Sequence, residues 1–223
     1  MRRFVIVMSL AAVAIAPLWA AVSTAEKRGI EDAATVLADI SDVPEKGVPK
    51  DLWNKAACVM VIPGLKKAAF VIGGEYGKGL MSCRRGSDWS APLFMRLEKG
   101  SWGLQIGAQS IDLVLLVMNK TGAERLLANK VSLGAEMSVA AGPVGRDARA
   151  ATDANITAEI LSYSRTQGLF AGINLSGGVL RGDADDNKDL YGVSVNAREV
   201  LLGDTVQMPA VAEPLMKALR KGV

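Results

Sequence analysis

The sequence predicts an α+β fold, with a strongly curved, barrel-like antiparallel β-sheet and helices near both termini. Three observations lead to this prediction. Short runs rich in Val and Ile, separated by Gly and Pro, are typical of consecutive antiparallel strands. Amphipathic segments stand at both ends of the chain, outside these runs. The 23 glycines fit a sheet that bends and carries bulges.

The first 25 residues have the organisation of a secretory signal peptide. A cationic start, Met1–Arg3, precedes the apolar run Phe4–Ile15, and small residues follow up to Ala25. The run is shorter than the roughly 20 residues that cross a bilayer, and an uncleaved anchor is the alternative interpretation. We expect cleavage after Ala25, export to the periplasm or cell envelope, and a single domain over residues 26–223.

The charge balance argues against a nucleic-acid partner. The whole chain has a net charge of +3 at pH 7, and removing Arg2 and Arg3 with the signal peptide leaves 24 cations against 23 anions. Proteins that bind nucleic acid normally carry a strong basic excess. The sequence therefore predicts no nucleic-acid partner.

Two helices are predicted before the sheet. Residues 26–42 carry an apolar stripe with acidic residues opposite, which favours a helix docked on the core over a basic membrane-surface helix. Pro49 suits the first position of a second, short helix that runs to Ala56. The stripe of the first helix is formed by Ile30, Ala33, Ala34 and Leu37.

Residues 57–85 predict a three-stranded meander. Its runs are Cys58–Ile62, Ala68–Ile72 and Gly79–Cys83, and Pro63-Gly64 separates the first two. Between the second and third runs the motif GGEYGKG resembles a phosphate loop, but it lacks the required glycine spacing and the Ser or Thr after the lysine. A hairpin turn with glycines at positive φ is predicted there instead, at Gly73, Gly74, Gly77 and Gly79.

The rest of the chain is predicted to alternate strands, turns and short helices. Predicted strands are Leu93–Leu97, Ser101–Ser110, Ile111–Met118, Val131–Gly142, Ile156–Ser164 and Leu169–Leu175. Predicted connections are a hairpin turn at Glu98–Gly100, a loop at Arg146–Asn155 and an acidic turn at Gly182–Asp189. Helices are predicted at Thr121–Asn129 and Pro209–Lys221, and Val193–Leu202 is either a strand or a short helix.

The two cysteines, Cys58 and Cys83, suggest a disulfide if the protein is exported. The bridge would close a loop of about 26 residues and contribute about 3 kcal/mol on the chain-entropy model. Both residues lie on predicted strands, but the sequence leaves open whether these strands are adjacent. Two buried free thiols are therefore the alternative.

The absence of histidine excludes the Ser-His-Asp triad and most zinc sites. We expect no enzymatic activity and no cofactor. An alternating acidic motif resembles an oxygen-ligand loop for calcium. Lys188 stands where such a loop needs Gly, and Ser194 where it needs Glu, so a solvated turn is predicted and a metal site is the weaker alternative. The motif consists of Asp183, Asp185, Asn187 and Asp189.

Five cations within the predicted meander form the candidate lipid-binding site. A cation near an anionic bilayer contributes roughly 1 kcal/mol, so a common patch would adsorb in a salt-sensitive way. Neighbouring residues on a strand point to opposite faces, and ordinary solvated charge is the alternative. The five are Lys66, Lys67, Lys78, Arg84 and Arg85.

Several motifs in one order make the chain similar to a known family. They are VPKDLWNKAACVMVIPGLKKAAFVIGGEYGKGLMSCR, WSAP, LQIGAQSIDLVLLVMN, VSLGAEMSVAAGPVGRDA, ILSYSRTQGLFAGINLSGG and DNKDLYG, which together cover about residues 48–192. The chain thereby resembles the SYLF-domain family, the lipid-binding or Ysc-type domain. The resemblance implies binding: eukaryotic members associate with phosphoinositide membranes through basic residues and an amphipathic N-terminal segment, and some act with actin.

The signal peptide identifies this chain as resembling bacterial exported members. Such a protein would meet anionic phospholipid or lipid phosphate: phosphatidylglycerol, cardiolipin or lipid A. We therefore expect a non-enzymatic envelope protein that binds anionic lipid or membrane surfaces. Two alternatives stay open: a periplasmic carrier whose curved sheet encloses an apolar ligand, and an envelope scaffold that pairs its sheet edges with an unidentified protein.

Overall fold

The computed structural model describes residues 22–41, 47–69, 72–102, 107–127, 130–144, 157–166 and 169–222. Helices stand near both ends and strands lie between them, so the predicted fold class is confirmed. The helices are α1 Thr24–Ser41, α2 Lys50–Lys55, α3 Lys120–Leu126, α4 Ala184–Tyr191, α5 Ala197–Leu201 and α6 Glu213–Lys221, with a 3-10 turn at Ala210–Ala212. The strands are β1 Cys58–Ala69, β2 Ile72–Arg85, β3 Asp88–Trp89, β4 Leu93–Trp102, β5 Gly107–Val117, β6 Val131–Ser132, β7 Val139–Ala141, β8 Ile160–Thr166, β9 Leu169–Gly172 and β10 Gly178–Gly182.

One curved sheet contains most of the strands. Its order is β6-β10-β4-β2-β1-β5-β8-β7, with β3 attached to β2 and β9 attached to β8. The named pairs are antiparallel, as predicted, except β7 with β8, which is parallel. The long strands β1, β2, β4 and β5 form the centre, so the chain from 58 to 117 is the main part of the sheet.

The central strands bury side chains on both faces, because alternating residues enter two separate apolar clusters. The helix-covered face packs against α1, α2 and α6, and on β1 and β2 it presents Val59, Val61 and Leu80. The opposite face packs against α3 and α5, and it presents Met60, Ile62 and Met81. Both faces are thus filled with apolar side chains, which explains the near-continuous apolar runs of β1 and β5.

The strand β1 does not end at Pro63-Gly64, so the prediction of a three-stranded meander is wrong. Its pairing register with β2 shifts between Val61 and Lys66, and the strand then continues to Ala69. Gly64 has a φ of 60°, and its N–H donates to Asp112 Oδ1 at 2.9 Å. A β-bulge therefore accommodates the proline, whose missing N–H is tolerated where the ladder is interrupted.

The glycine cluster lies within β2 and does not form the predicted turn. The glycines with positive φ among the described residues lie elsewhere. A Cβ added to Gly79 would stand 2.0 Å from the carbonyl oxygen of Val61, and one added to Gly77 would stand 2.6 Å from the Ile62 side chain. These two glycines are needed because β2 passes close to β1 beside the bulge.

Two further predictions of strand ends are wrong. Glu98–Gly100 continues β4 to Trp102 instead of turning, because these residues pair with Gly74–Tyr76 of β2. Val131–Gly142 forms two short strands, β6 and β7, because Gly134 takes a φ of 87° between them. Of the predicted strand 101–110, residues 103–106 lie outside the described residues, and β5 begins at Gly107.

The predicted helices agree with the structure. α1, α2, α3 and α6 lie where expected, and the ambiguous segment 193–202 contains the short helix α5. The hairpin of β8 with β9 is also confirmed. Among the described helices, none has the length and hydropathy to cross a membrane. The predicted loop 146–155 and most of the predicted signal peptide, residues 1–21, lie outside the described residues, and cleavage after Ala25 stays a prediction.

Candidate functional site

The two cysteines form a disulfide at one end of the sheet. Cys58 begins β1 and Cys83 lies directly opposite it on β2, with their Cα atoms 3.9 Å apart. Both side chains are buried. The predicted pairing is confirmed, and the bridge marks the end of the sheet where α2 enters β1 and β2 leaves toward β3.

The five candidate cations do not share one surface. Lys66 lies opposite Tyr76 and Lys67 opposite Glu75, and these two register positions alternate between the two faces of the sheet. Arg84 and Arg85 also alternate. By strand alternation, the helix-covered face carries Lys66, Lys78 and Arg84, and the opposite face carries Lys67 and Arg85.

Two of the five, Lys67 and Lys78, form close ion pairs with largely buried carboxylates of the same chain. Lys67 Nζ lies 3.3 Å from Glu75. Lys78 Nζ lies 2.8 Å from Asp186 and 3.2 Å from the buried carboxylate of Asp183. Burial lowers the pKa of Lys78, but hydrogen bonds and charge from these two carboxylates outweigh burial and hold that pKa above its ordinary value. Lys78 therefore links β2 to α4 and is engaged within the protein.

Arg84 is fixed by the end of α2. Its Nε donates to the Ala56 carbonyl at 3.1 Å and its Nη2 to the Trp53 carbonyl at 2.9 Å. The guanidinium also lies over the Trp89 ring, 4.3 Å from the ring centroid. Partial burial lowers the pKa of Arg84, yet an arginine keeps its charge at neutral pH. Arg84 is thus an immobilised positive charge beside the disulfide.

Two cavities flank Arg84. The larger, about 540 Å³, lies beside the disulfide, between α2, α3 and α5. The smaller, about 300 Å³, lies between α2, β3 and the end of α6. Asn54 and Arg84 line both. We call this surface the basic end, because the residues lining the two cavities include one carboxylate, Glu124, and seven cations: Lys50, Lys55, Arg84, Arg85, Lys120, Arg220 and Lys221.

Two cations of the basic end, Arg85 and Arg220, form ion pairs with exposed carboxylates that line neither cavity. Arg85 Nη1 lies 3.7 Å from Asp204, whose side chain is 94% exposed, so this pair contributes little. Arg220 Nε donates to Asp88 Oδ1 at 3.0 Å. That hydrogen bond is the main cause of a lowered pKa at Asp88. Lys50, Lys55 and Lys120 are exposed, which leaves the basic end with a positive excess.

The acidic motif is a helix and not the predicted turn. Asp183 is the N-cap of α4, and Asn187 is buried one turn later. Asp185 and Asp189 are exposed. Residues two apart on a helix do not face each other, so the motif does not converge on one point. Across the described residues, no cluster of three or more His, Cys, Asp or Glu side chains is arranged to hold a metal ion.

Asn187 joins α4 to the sheet, and its replacement is expected to be costly. Its Oδ1 accepts from the N–H of Phe94 at 2.7 Å and its Nδ2 donates to the carbonyl of Phe94 at 2.9 Å. Asn187→Ala should lower the free energy of unfolding by about 2 kcal/mol, since it leaves a buried N–H unpaired. Urea denaturation measures this. The exposed Asp185→Ala serves as control, and equal midpoints for the two variants would contradict the assignment.

Sequence reasoning identified two of the seven cations of the basic end, Arg84 and Arg85. The others come from α2, α3 and α6, which are far apart in sequence. The only local signal is a lysine at each end of α2, around Trp53. That pattern is also typical of a helix end that is simply solvated, so the basic end becomes visible only when the fold joins these helices.

Comparisons with known proteins give consistent results. A family model described as Ysc84, Las17-binding protein actin regulator, matches residues 98–222. The chain is 36% identical over 168 residues to an SH3 domain-containing protein of Schizosaccharomyces pombe, covering 74% of this chain and 39% of that protein. It is 30% identical over 177 residues to LAS seventeen-binding protein 3 of Saccharomyces cerevisiae, covering 77% of this chain and 38% of that protein.

A mammalian relative shows the same relation. The SH3 domain-containing YSC84-like protein 1 of Mus musculus is 30% identical over 200 residues, covering 86% of this chain and 58% of that protein. The chain thus matches between about two fifths and three fifths of the length of these relatives. The similarity therefore covers the domain described above and not the full length of these relatives.

Proposed function

Since this chain belongs to the Ysc84 family of proteins, described as Las17-binding actin regulators, we propose that it is a non-enzymatic binding domain. Its ligand is an anionic lipid surface, which it meets with the basic end. Cations near such a surface each contribute roughly 1 kcal/mol, so a cluster of them supports adsorption at low salt.

One observation carries the proposal: the residues lining the two cavities around Arg84 include seven cations and one carboxylate. Phosphate and carboxylate groups are the natural ligands of such a surface, because their negatively charged oxygens accept charge-assisted hydrogen bonds from lysine and arginine. Trp53 and Trp89 lie beside Arg84 with ring centroids 6.0 Å apart. Both rings are buried, so they fix the position of the Arg84 charge and do not themselves contact lipid.

We place this activity at the cell envelope. Residues 1–25 have the organisation of a signal peptide, and the disulfide is of the kind that persists in oxidising compartments. The proposal predicts a mature protein that begins at Glu26. Intact-mass measurement of the protein recovered from the envelope fraction tests this, and a full-length mass would exclude cleavage.

Removing three exposed lysines of the basic end should abolish most of the adsorption. In the variant Lys50→Ala, Lys55→Ala, Lys120→Ala, the loss is about 3 kcal/mol, or roughly a hundredfold in the partition coefficient. Flotation with vesicles of equal parts phosphatidylglycerol and phosphatidylcholine, at low salt, measures it. Vesicles of phosphatidylcholine alone should recover little of the unmodified protein.

A matched control removes three exposed lysines that do not line either cavity. Lys27, Lys66 and Lys188 meet this condition, and replacing them by alanine changes the net charge equally. This variant should float like the unmodified protein. Equal losses for both triple variants would show that net charge, and not the basic end, governs adsorption. Equal recovery of the unmodified protein with neutral and anionic vesicles would contradict the proposed binding to anionic lipid.

Protein binding is a second candidate function, favoured by the names of the relatives. The family model and LAS seventeen-binding protein 3 are both named for binding Las17. We propose that this chain also has a protein partner, and co-sedimentation with actin filaments tests the partner that the family description suggests. Recovery of the protein in the supernatant at all filament concentrations would exclude that partner.

A further inference from the structure

The two cavities of the basic end differ in chemistry. The larger lies over the buried disulfide, and its accessible apolar wall is formed by Ala57, Met118 and Leu202. The smaller has polar and cationic walls, including Lys50, Ser87 and Arg220. An apolar space and a cationic space therefore lie side by side at one end of the sheet.

Arg84 stands between the two spaces. Its Nε and Nη2 are held by the carbonyls of Ala56 and Trp53, and its guanidinium lies against Trp89. These contacts fix the position of the charge before any ligand arrives, which lowers the entropy cost of binding. The hydrogen bonds of Arg84 to other described residues come from Nε and Nη2, so Nη1 is left as a donor for a ligand.

The rim of the larger cavity is positively charged. Lys55, Arg85 and Lys120 line it against a single carboxylate, Glu124. A volume of about 540 Å³ lies within the usual range for pockets that hold small molecules. The apolar wall suits a hydrocarbon chain, and the rim suits a negative charge close to one end of that chain.

We infer that the basic end holds one molecule of a single-chain anionic amphiphile. Its hydrocarbon chain occupies the larger cavity, and its phosphate or carboxylate head lies against Arg84, toward the smaller cavity. The inference rests on the proposed function for the anionic head. It goes further in stating that the domain takes one chain into its own interior rather than only touching the surface of a bilayer.

Binding of dodecyl phosphate, below its micellar concentration, tests the inference. Isothermal titration calorimetry and native mass spectrometry should show one molecule bound per protein. Inorganic phosphate, which lacks the chain, and dodecyl maltoside, which lacks the charge, should each bind at least about tenfold more weakly, because each loses one half of the site. Equal binding of dodecyl maltoside would show that the site is apolar only.

Filling the larger cavity separates this inference from the proposed function. Ala57 lines that cavity and is half-buried. Ala57→Trp leaves every charge in place, so it should abolish binding of dodecyl phosphate while the protein still floats with phosphatidylglycerol vesicles. Failure of the unmodified protein to float with anionic vesicles would instead contradict the proposed function, whether or not calorimetry detects binding of dodecyl phosphate.

A second variant keeps the test valid if Ala57→Trp fails to fold. Leu202 lines the larger cavity and is 38% exposed. Leu202→Glu should weaken dodecyl phosphate binding at least about tenfold by bringing a negative charge to the apolar wall. Val193→Glu is the matched control, because Val193 is 61% exposed and lines neither cavity. No binding by the unmodified protein, or unchanged binding in folded Ala57→Trp or Leu202→Glu, would overturn the inference.

Discussion

Gly79→Ala is expected to destabilise the domain by about 3 kcal/mol, near the upper end of what overpacking usually costs. The new Cβ would stand 2.0 Å from the carbonyl oxygen of Val61 and 2.8 Å from the Cα of Ile62. Both neighbours belong to the backbone of β1, which pairs with β2 on one side and β5 on the other. Relief therefore requires moving a central strand and not merely a side chain.

Urea denaturation of the purified variant measures this effect. Gly74→Ala is the matched control, because Gly74 lies on the same strand and an added Cβ would meet only the Lys99 carbonyl, at an ordinary 3.7 Å. Its unfolding free energy should stay within about 0.5 kcal/mol of that of the unmodified protein. If Gly79→Ala were as stable as Gly74→Ala, the close approach of β2 to β1 would be wrong.

Removing the disulfide is expected to cost about 3 kcal/mol, the value for closing a loop of this length in the unfolded chain. Cys58 and Cys83 are 25 residues apart. The double variant Cys58→Ala, Cys83→Ala avoids burying a polar group at these positions, which are closed to solvent. The lower unfolding midpoint should be visible in urea, with a steeper transition because the unfolded chain without the bridge is less compact and exposes more surface.

A reducing agent provides the control for the disulfide. It should lower the midpoint of the unmodified protein toward that of the double variant and leave the variant itself unchanged. Strand pairing keeps the two positions opposite each other without the bond, so the variant should still fold. A midpoint of the unmodified protein that does not respond to full reduction would show that the bridge contributes no stability.

The sequence predicted the fold class and most elements because these depend on local patterns. The periodicity of residues 26–42, the apolar run that forms most of β5 and the amphipathic pattern of α6 are each visible within one segment. Predictions failed where a neighbouring strand decided the conformation. Glycines at 73–79 and the sequence Glu98–Gly100 have the composition of turns, yet pairing between β2 and β4 holds both in extended conformation.

The candidate site was harder to predict than the fold. Lys67 and Lys78 are close in sequence to Arg84, but they pair with carboxylates of the same chain. Lys66 lies opposite Tyr76, eight residues from Arg84 along β2. The basic end instead combines the disulfide end of the sheet with three helices. A cluster formed by distant segments has no local pattern in the sequence, so only the tertiary structure reveals it.

The packing of α1 against α6 has a consequence for how this chain folds. Ala34 and Ala38 of α1 lie along the same groove as Ala218 of α6. Ala38 and Ala218 are 180 residues apart in sequence, and contacts between such distant segments form late and slow folding. During synthesis, α1 therefore lacks this partner until α6 has been made, and the nascent domain keeps the apolar face of α1 uncovered until then.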